Sequence, residues 1–402
     1  MKELLRTYMN KIRTGLSQIV YNCNQELKAI IHDSGALLIL FLALIIYPII
    51  YSIAYKNEVL KESEIAVIDL DKSSLSRTYS RMLDATEQIN VAYKVESLQE
   101  AQSLFYEGKV KGIVLIPRDF EKLVLQNKQS QVIVYVDASY VLIYKQIYSG
   151  AVAATSTLSG GIEVKRLVAN GNTYTQALEK QSPLDISTYQ LYNPAAGYGS
   201  FIIPAIILIA MQQTLLIGIG LVGATFREKN KKISQRGGAF TIIAGKTLTY
   251  LSIYVINSFT AFLIIFSWFN YPDKGGFLQS FFVLIPYFLS TIFLGLIVGV
   301  LFKKRVHSLL FLVFLSPIVL FLSGISWPVE AMPKIIHIMS YVFPCILAVP
   351  AYIKLRIQGT GFASFETEWY GLVIQMIIYF IGALVIYKYA LKKANKKIAT
   401  QE

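Results

Sequence analysis

The chain has 402 residues, 54% hydrophobic and only 16% charged, against about a quarter charged in an ordinary globular protein. With a mean hydropathy of +0.50, this excludes a soluble domain, a disordered chain, a collagen and a disulfide scaffold. The net charge of +13 does not imply a nucleic-acid partner, because its placement along the chain accounts for it in another way.

Residues 1–35 open the chain with an amphipathic pattern. Leu4, Leu5, Tyr8, Ile12, Leu16, Ile19, Val20, Leu27 and Ile31 recur at near-helical spacing, with Lys2, Arg6, Lys11 and Arg13 between them. Such a helix lies in the membrane interface or packs on a partner protein, and the pattern allows both. A polar stretch of about 30 residues before the first apolar block argues for an uncleaved anchor rather than a cleavable signal.

Six predominantly apolar blocks follow, at 36–55, 201–224, 247–269, 277–302, 308–325 and 369–391. Each is long enough to cross about 30 Å of hydrocarbon as a helix. The segments at one face (1–35, 226–246, Lys303–Arg305 and Lys388 onward, including the basic tail 392–402) hold 19 basic residues. The short loops of the other face hold only Lys274, Lys334, Lys354 and Arg356. The long segment 56–199 is near neutral, with 15 basic and 16 acidic residues. The positive-inside rule then puts both termini in the cytoplasm and 56–199 outside. Cys23 and Cys345 fall on opposite sides and do not pair.

The expected fold is an α-helical polytopic membrane protein with six transmembrane helices and an inserted α/β extracytoplasmic domain. Within 56–199, strands are predicted at Ile65–Leu70, Ile89–Val95, Gly112–Ile116 and Val132–Val136. Helices are predicted at Ser73–Gln88, at Ser97–Tyr106, and from Pro117 as its first helical residue. A long helical stretch, Tyr140–Gln181, reads as a stalk between this body and the membrane. Asn193-Pro194 breaks the chain before the second span. In the 200–391 helical region, 326–368 is punctuated by Pro328, Pro333, Pro344 and Pro350, and is read as an external re-entrant pair of short helices packed on protein.

The six blocks are almost free of ionisable groups. Lys388, near an end, is the only charge inside their bounds, so a proton relay within the spans is not expected. Their polar residues are amides and hydroxyls. Gln212, Gln213 and Asn257 are candidate pathway residues, with interhelical hydrogen bonding as the equal alternative. His32, His307 and His337 are isolated, and no metal-ligand spacing is present. Gly245-Lys246-Thr247 copies the end of a phosphate-binding loop, but Phe240 stands where its first glycine belongs and a span follows. No cofactor is expected in this chain, and it is not expected to be an enzyme.

Several stretches, in order, point to a family. They are Ile65-Ala-Val-Ile-Asp-Leu-Asp-Lys-Ser-Ser74, Val136-Asp137, Tyr192-Asn193-Pro194, Arg227-Glu228-Lys229 followed by Gly245-Lys246, and Leu322-Ser323-Gly324 with Pro328, Met332-Pro333 and Pro344. Together they resemble the membrane subunits of type-2 ATP-binding-cassette exporters, in the subclass with a large external domain after the first span. The likeness covers almost the whole chain. It departs at Asn230-Lys231-Lys232-Ile233-Ser234, where the family usually has Gly-Thr and an acid.

The resemblance implies a permease moving substrate outward across a bacterial inner membrane. ATP and magnesium would be bound by a separate ATPase subunit. Residues 1–31 become a connecting helix and 226–246 the coupling loop, with Arg227, Glu228, Lys229, Lys231, Lys232 and Arg236 facing the ATPase. Ser323, Gly324, Pro328, Pro333 and Pro344 mark the re-entrant segment. Further implied partners are a second permease subunit (the same chain or a different one), an envelope adaptor and membrane lipid, with no nucleic acid. The rival reading is a non-transport receptor or scaffold whose external domain binds a ligand or partner.

Overall fold

A computed structural model of the chain describes residues 2–57, 59–184, 186–194, 196–228 and 235–399. It divides into two compact units, Met1–Glu58 with Gln190–Glu402, and Val59–Tyr189.

The first unit is helical. Helix α1 runs over Lys2–Ile31. Asp33 then starts the next helix by accepting the Ala36 N–H at 3.0 Å, an N-cap that satisfies an otherwise orphaned donor. Among the described residues, six helices are long and apolar enough to cross a membrane: Ser34–Ala54, Tyr198–Glu228, Ala239–Phe269, Phe277–Leu301, Arg305–Leu322 and Glu366–Lys393. They coincide with the six expected blocks to within a few residues at most ends.

The third span is the exception. It begins at Ala239 rather than Thr247, so 239–246 is helix continuous with the third span. Arg227 and Glu228 likewise belong to the second-span helix. Sequence alone treated Lys246 as a boundary because a charge inside a span is unfavourable unless paired, and here it is paired. The expectation that Lys388 is the only charge within the spans is corrected accordingly.

The second span is buried along most of its length and forms the centre of the unit. In 326–368 the expected short helices are present as Lys334–Ser340 and Cys345–Ile357, bent by 89°. Pro333 and Pro344 stand at their N-caps, and Pro328 at that of the turn Val329–Ala331. Ser323 caps the fifth-span helix, and Gly324 takes the positive φ of +83° that reverses the chain. Cys345, Ala348, Val349 and Tyr352 are buried in the helical core, so this irregular backbone rests on protein.

The second unit is a three-layer α/β domain. Strands β1 (Ser63–Asp69), β2 (Ile89–Val95), β3 (Gly112–Ile116) and β4 (Ile133–Val136) form one sheet in the order β2-β1-β3-β4. The first three are parallel, and β4 is antiparallel to β3. Helix α2 (Ser74–Asp84) is capped by Ser73, and α3 (Leu98–Tyr106) by Ser97. Pro117 does not open a helix. The short helix α4 is Phe120–Leu125, with Asp119 in the left-handed region at its N-cap.

The stalk expectation is also corrected. Tyr140–Gln181 forms two helices, α5 (Val141–Ala169) and α6 (Tyr174–Gln181), separated by a turn with Gly171 at φ +90°. Ile147, Ala151, Ala154 and Leu158 of α5 pack with Ile65, Val67, Tyr79 and Val114. Thus α5 and α2 cover one face of the sheet, while α3 covers the other through Ala101 against Ala66, Ile68 and Ile113.

Candidate functional site

The starts of the first, third and fifth spans meet the ends of the second and fourth at one end of the helical unit, where most of its basic residues collect. Helix α1 docks there on the third span. At Gly245 a Cβ would stand 2.6 Å from Asn22 Cβ and 2.8 Å from the Ile19 carbonyl oxygen, so only glycine allows this approach. The contact closes over a buried polar cluster. Lys246 pairs with Glu26, their side chains 5% and 3% exposed. Tyr250 donates its hydroxyl to Glu26 Oε1 at 2.8 Å. A buried charge needs such pairing and hydrogen bonding to be tolerated.

One turn back along α1, Asn22 holds the loop before the third span. Its Nδ2 donates to the Arg236 carbonyl at 2.9 Å, and its Oδ1 accepts the Arg236 N–H at 3.1 Å. The Arg236 guanidinium lies 4.1 Å above the Tyr21 ring. Gly237 follows with φ +89° and Gly238 caps the span.

On the other side of that loop, Arg227 reaches the end of the fourth span. It donates to the carbonyls of Gly299 (2.7 Å), Phe302 (2.8 Å) and Val300, groups that a helix C-terminus leaves unpaired. Glu228 accepts the Arg305 N–H at 2.9 Å, at the start of the fifth span. Arg305 in turn clamps Asp33, with Nη2 2.7 Å from Oδ1 and Nη1 on Oδ2, and Thr225 joins the pair at 3.2 Å. Burial works to raise the Asp33 carboxyl, but Arg305, the Ala36 N–H and Thr225 together hold it below the ordinary value.

Of the expected docking set, Arg227 is half-buried and caps the end of the fourth span. Glu228 and Arg236 are exposed although each anchors a neighbouring segment. Lys229, Lys231 and Lys232, expected in the coupling loop, lie outside the described residues. Sequence reasoning missed Asn22, Glu26, Asp33, Lys246 and Arg305. The only signals were polar residues four apart on α1, and Lys246 one turn before Tyr250. Gly245-Lys246-Thr247 lies within a helix, with its lysine already taken.

The candidate pathway residues make hydrogen bonds between segments. Gln212 Oε1 accepts the Cys345 N–H at 2.8 Å, Ser316 donates to Gln213 Oε1 at 3.3 Å, and Asn257 donates to the Leu40 carbonyl at 2.8 Å. The amide nitrogens of Gln212 and Gln213 are buried without a partner. At the opposite end of the third span, Arg356 is 1% exposed and bonds Asp273 (2.5 Å), Ser280 (2.9 Å) and the Phe262 carbonyl (2.9 Å). Both cysteines are free. Among the described residues no group of three or more His, Cys, Asp or Glu side chains is arranged to hold a metal.

Residues 35–385 match the family model described as ABC-2 family transporter protein. The chain is similar to the probable multidrug ABC transporter permease YbhS of Escherichia coli K12, 23% identical over 356 residues that cover 84% of this chain and 88% of the relative. The probable multidrug ABC transporter permease YbhR of the same strain is 23% identical over 329 residues, covering 80% and 84%.

Proposed function

This chain belongs to the ABC-2 family of transporter proteins, and from that premise we propose that it is the membrane permease subunit of an ATP-binding-cassette exporter. A separate ATPase drives it. Two permease subunits, identical or not, work as a pair across a bacterial inner membrane, with the basic end in the cytoplasm. Residues 59–189, inserted in the chain between the first and second spans, then lie outside, where an envelope adaptor can engage them. The relatives' description as multidrug permeases favours drug-like apolar substrates moved outward.

The observation that carries this reading is the clamp on both sides of loop 229–238. Asn22 and Glu26 of α1 hold its downstream side through Arg236 and Lys246. Arg227 and Glu228 hold its upstream side to the fourth and fifth spans. A partner pulling on this loop therefore moves α1 and spans two to five together. A partner shifts a conformational equilibrium only by interacting differently with its two states, and an ATPase that closes on ATP does so. Glu228, Lys229, Lys231, Lys232 and Arg236 are the proposed contacts, with Arg227 as a positioning residue. Gln212, Gln213 and Asn257 are proposed to line the path when the bundle opens.

The test is co-purification of the nucleotide-binding subunit with the natural permease and with a variant whose 229–234 stretch is a neutral linker. Loss of the ATPase from a variant that keeps its melting temperature is expected. Undiminished association overturns the docking assignment. Uphill solute movement by the purified permease alone, in vesicles lacking any hydrolase, overturns the mechanism.

A further inference from the structure

The α/β unit contains a cavity of about 340 Å³ at the carboxyl ends of β1 and β2, within the size range of small-ligand sites. Its polar lining includes four basic side chains, Lys72, Arg77, Arg81 and Lys94, against two acidic ones, Asp69 and Glu96. The acids are already engaged. Asp69 accepts the N–H groups of Asp71 (3.1 Å) and Lys72 (2.9 Å) and the Ser76 hydroxyl (2.7 Å). Glu96 is paired with Lys72 at 2.6 Å.

Three cations are left without a carboxylate among the described residues. Arg77 spends one N–H on the Lys72 carbonyl (2.7 Å) and Arg81 one on Thr78 Oγ1 (3.2 Å), which leaves most of each guanidinium fork free. They stand four apart on α2, a spacing at which like charges repel. The β1–β2 register pairs Lys94 with Val67, whose side chain lies in the core layer beneath α2. Lys94 therefore projects from the same sheet face and adds a third charge to the repulsion. The helix N-terminus is not the binding element, since Ser73 and Glu121 already accept its N–H groups. The crevice where the strand order reverses, between β1 and β3, is closed by Asp71 on the Phe120 and Glu121 N–H groups. The cavity beside it is open.

We propose that Arg77, Arg81 and Lys94 form a binding site for a phosphoryl group in this cavity. Two guanidinium forks suit the tetrahedral oxygens of phosphate, and the lysine supplies a point charge. The excess of two basic side chains over acidic ones matches a phosphomonoester, which carries nearly two negative charges at neutral pH. The phosphoryl group comes from a soluble phosphomonoester or from a lipid headgroup.

The experiment titrates sn-glycerol 3-phosphate into the full-length protein in nanodiscs of zwitterionic lipid, and repeats it with phosphatidic acid, the lipid phosphomonoester, added. Saturable binding that weakens with salt is expected. R77Q/R81Q should weaken it by about tenfold or more, as expected when charge-assisted bonds are removed. R77K/R81K should retain binding to within about tenfold, because it keeps the charge and loses only the forks. The exposed control K128Q/K165Q should leave affinity unchanged, and all variants should keep the natural melting temperature. If phosphatidic acid competes, the headgroup is the source. If binding persists beside it, the source is soluble, and both results support the site. Absence of saturable binding in the zwitterionic nanodisc, or an equal loss in the control variant, overturns it.

Discussion

Replacing Lys246 by methionine tests whether α1 and the third span are joined as described. Lys246 and Glu26 are 5% and 3% exposed, so their attraction acts in a medium far less polar than water. At an effective dielectric near 20, two unit charges about 4 Å apart attract by about 4 kcal/mol. Desolvation offsets much of that in the intact pair, but removal of one partner leaves the other charge buried and unpaired, at about 3–5 kcal/mol. Lys246→Met should therefore be strongly destabilising although methionine fills a similar volume. Glu26→Gln should be comparable, leaving Lys246 unpaired while Tyr250 keeps an acceptor. The double variant removes both charges and retains the Tyr250 bond, so it should recover at least about 2 kcal/mol relative to the sum of the singles. The assay is thermal unfolding of the purified permease, where about 3–5 kcal/mol corresponds, for a chain of this size, to a fall of roughly 4–6 °C. A Lys246→Met protein that melts with the natural one would refute the reasoning, because the pair would then be solvated.

Gly245→Leu should separate α1 from the third span, since even a Cβ there meets the Ile19 carbonyl oxygen at 2.8 Å; limited proteolysis should cut within 1–31 of this variant and spare the natural protein. Arg227→Leu leaves the carbonyls of Gly299, Val300 and Phe302 without their donor, at about 1–3 kcal/mol, and an unchanged melting temperature would contradict the cap. In the α/β unit, burial works to raise the Asp71 carboxyl, but Ser73 and the N–H groups of Glu121, Phe120 and Asp119 hold it below 3.8. Its contribution to stability is therefore complete above that value and is lost as pH falls through the lower folded one. Asp71→Asn should be less stable than the natural protein at neutral pH, and the gap should close in strong acid; a gap independent of pH rules out the carboxylate bonds as its source.

The sequence made visible whatever depends on neighbours along the chain. The spans are local runs of apolar residues, and the caps at Ser73 and Ser97 are local hydroxyls before helical patterns. Strand order was not local. Nothing near Ile133–Val136 says that it pairs antiparallel with β3. The apolar stripe Ile147, Ala151, Ala154 and Leu158 is readable as a helix face, but its partner, the sheet, is assembled from residues much earlier in the chain, beginning with Ile65 and Val67 of β1, so the segment passed for a stalk. Pro117 fits the first helical position by type, yet the chain continues through a left-handed Asp119 (φ 61°) before α4 starts.

The same logic explains why the basic end was read only in part. Positive charges in sequence indicate the side of the membrane through their sum, and that sum does not reveal which of them are occupied. Lys246 meets Glu26 from 220 positions away, Arg305 meets Asp33 from 272, and Arg227 reaches Phe302 across 75. Each pairing ties two helices, so the basic residues at this end also fasten α1 and the first five spans together. Arg227 is thus committed to the end of the fourth span, and in the proposed docking it holds one flank of the 229–238 segment. Displacement of that segment reaches the spans only if the flanking side chains do not yield first.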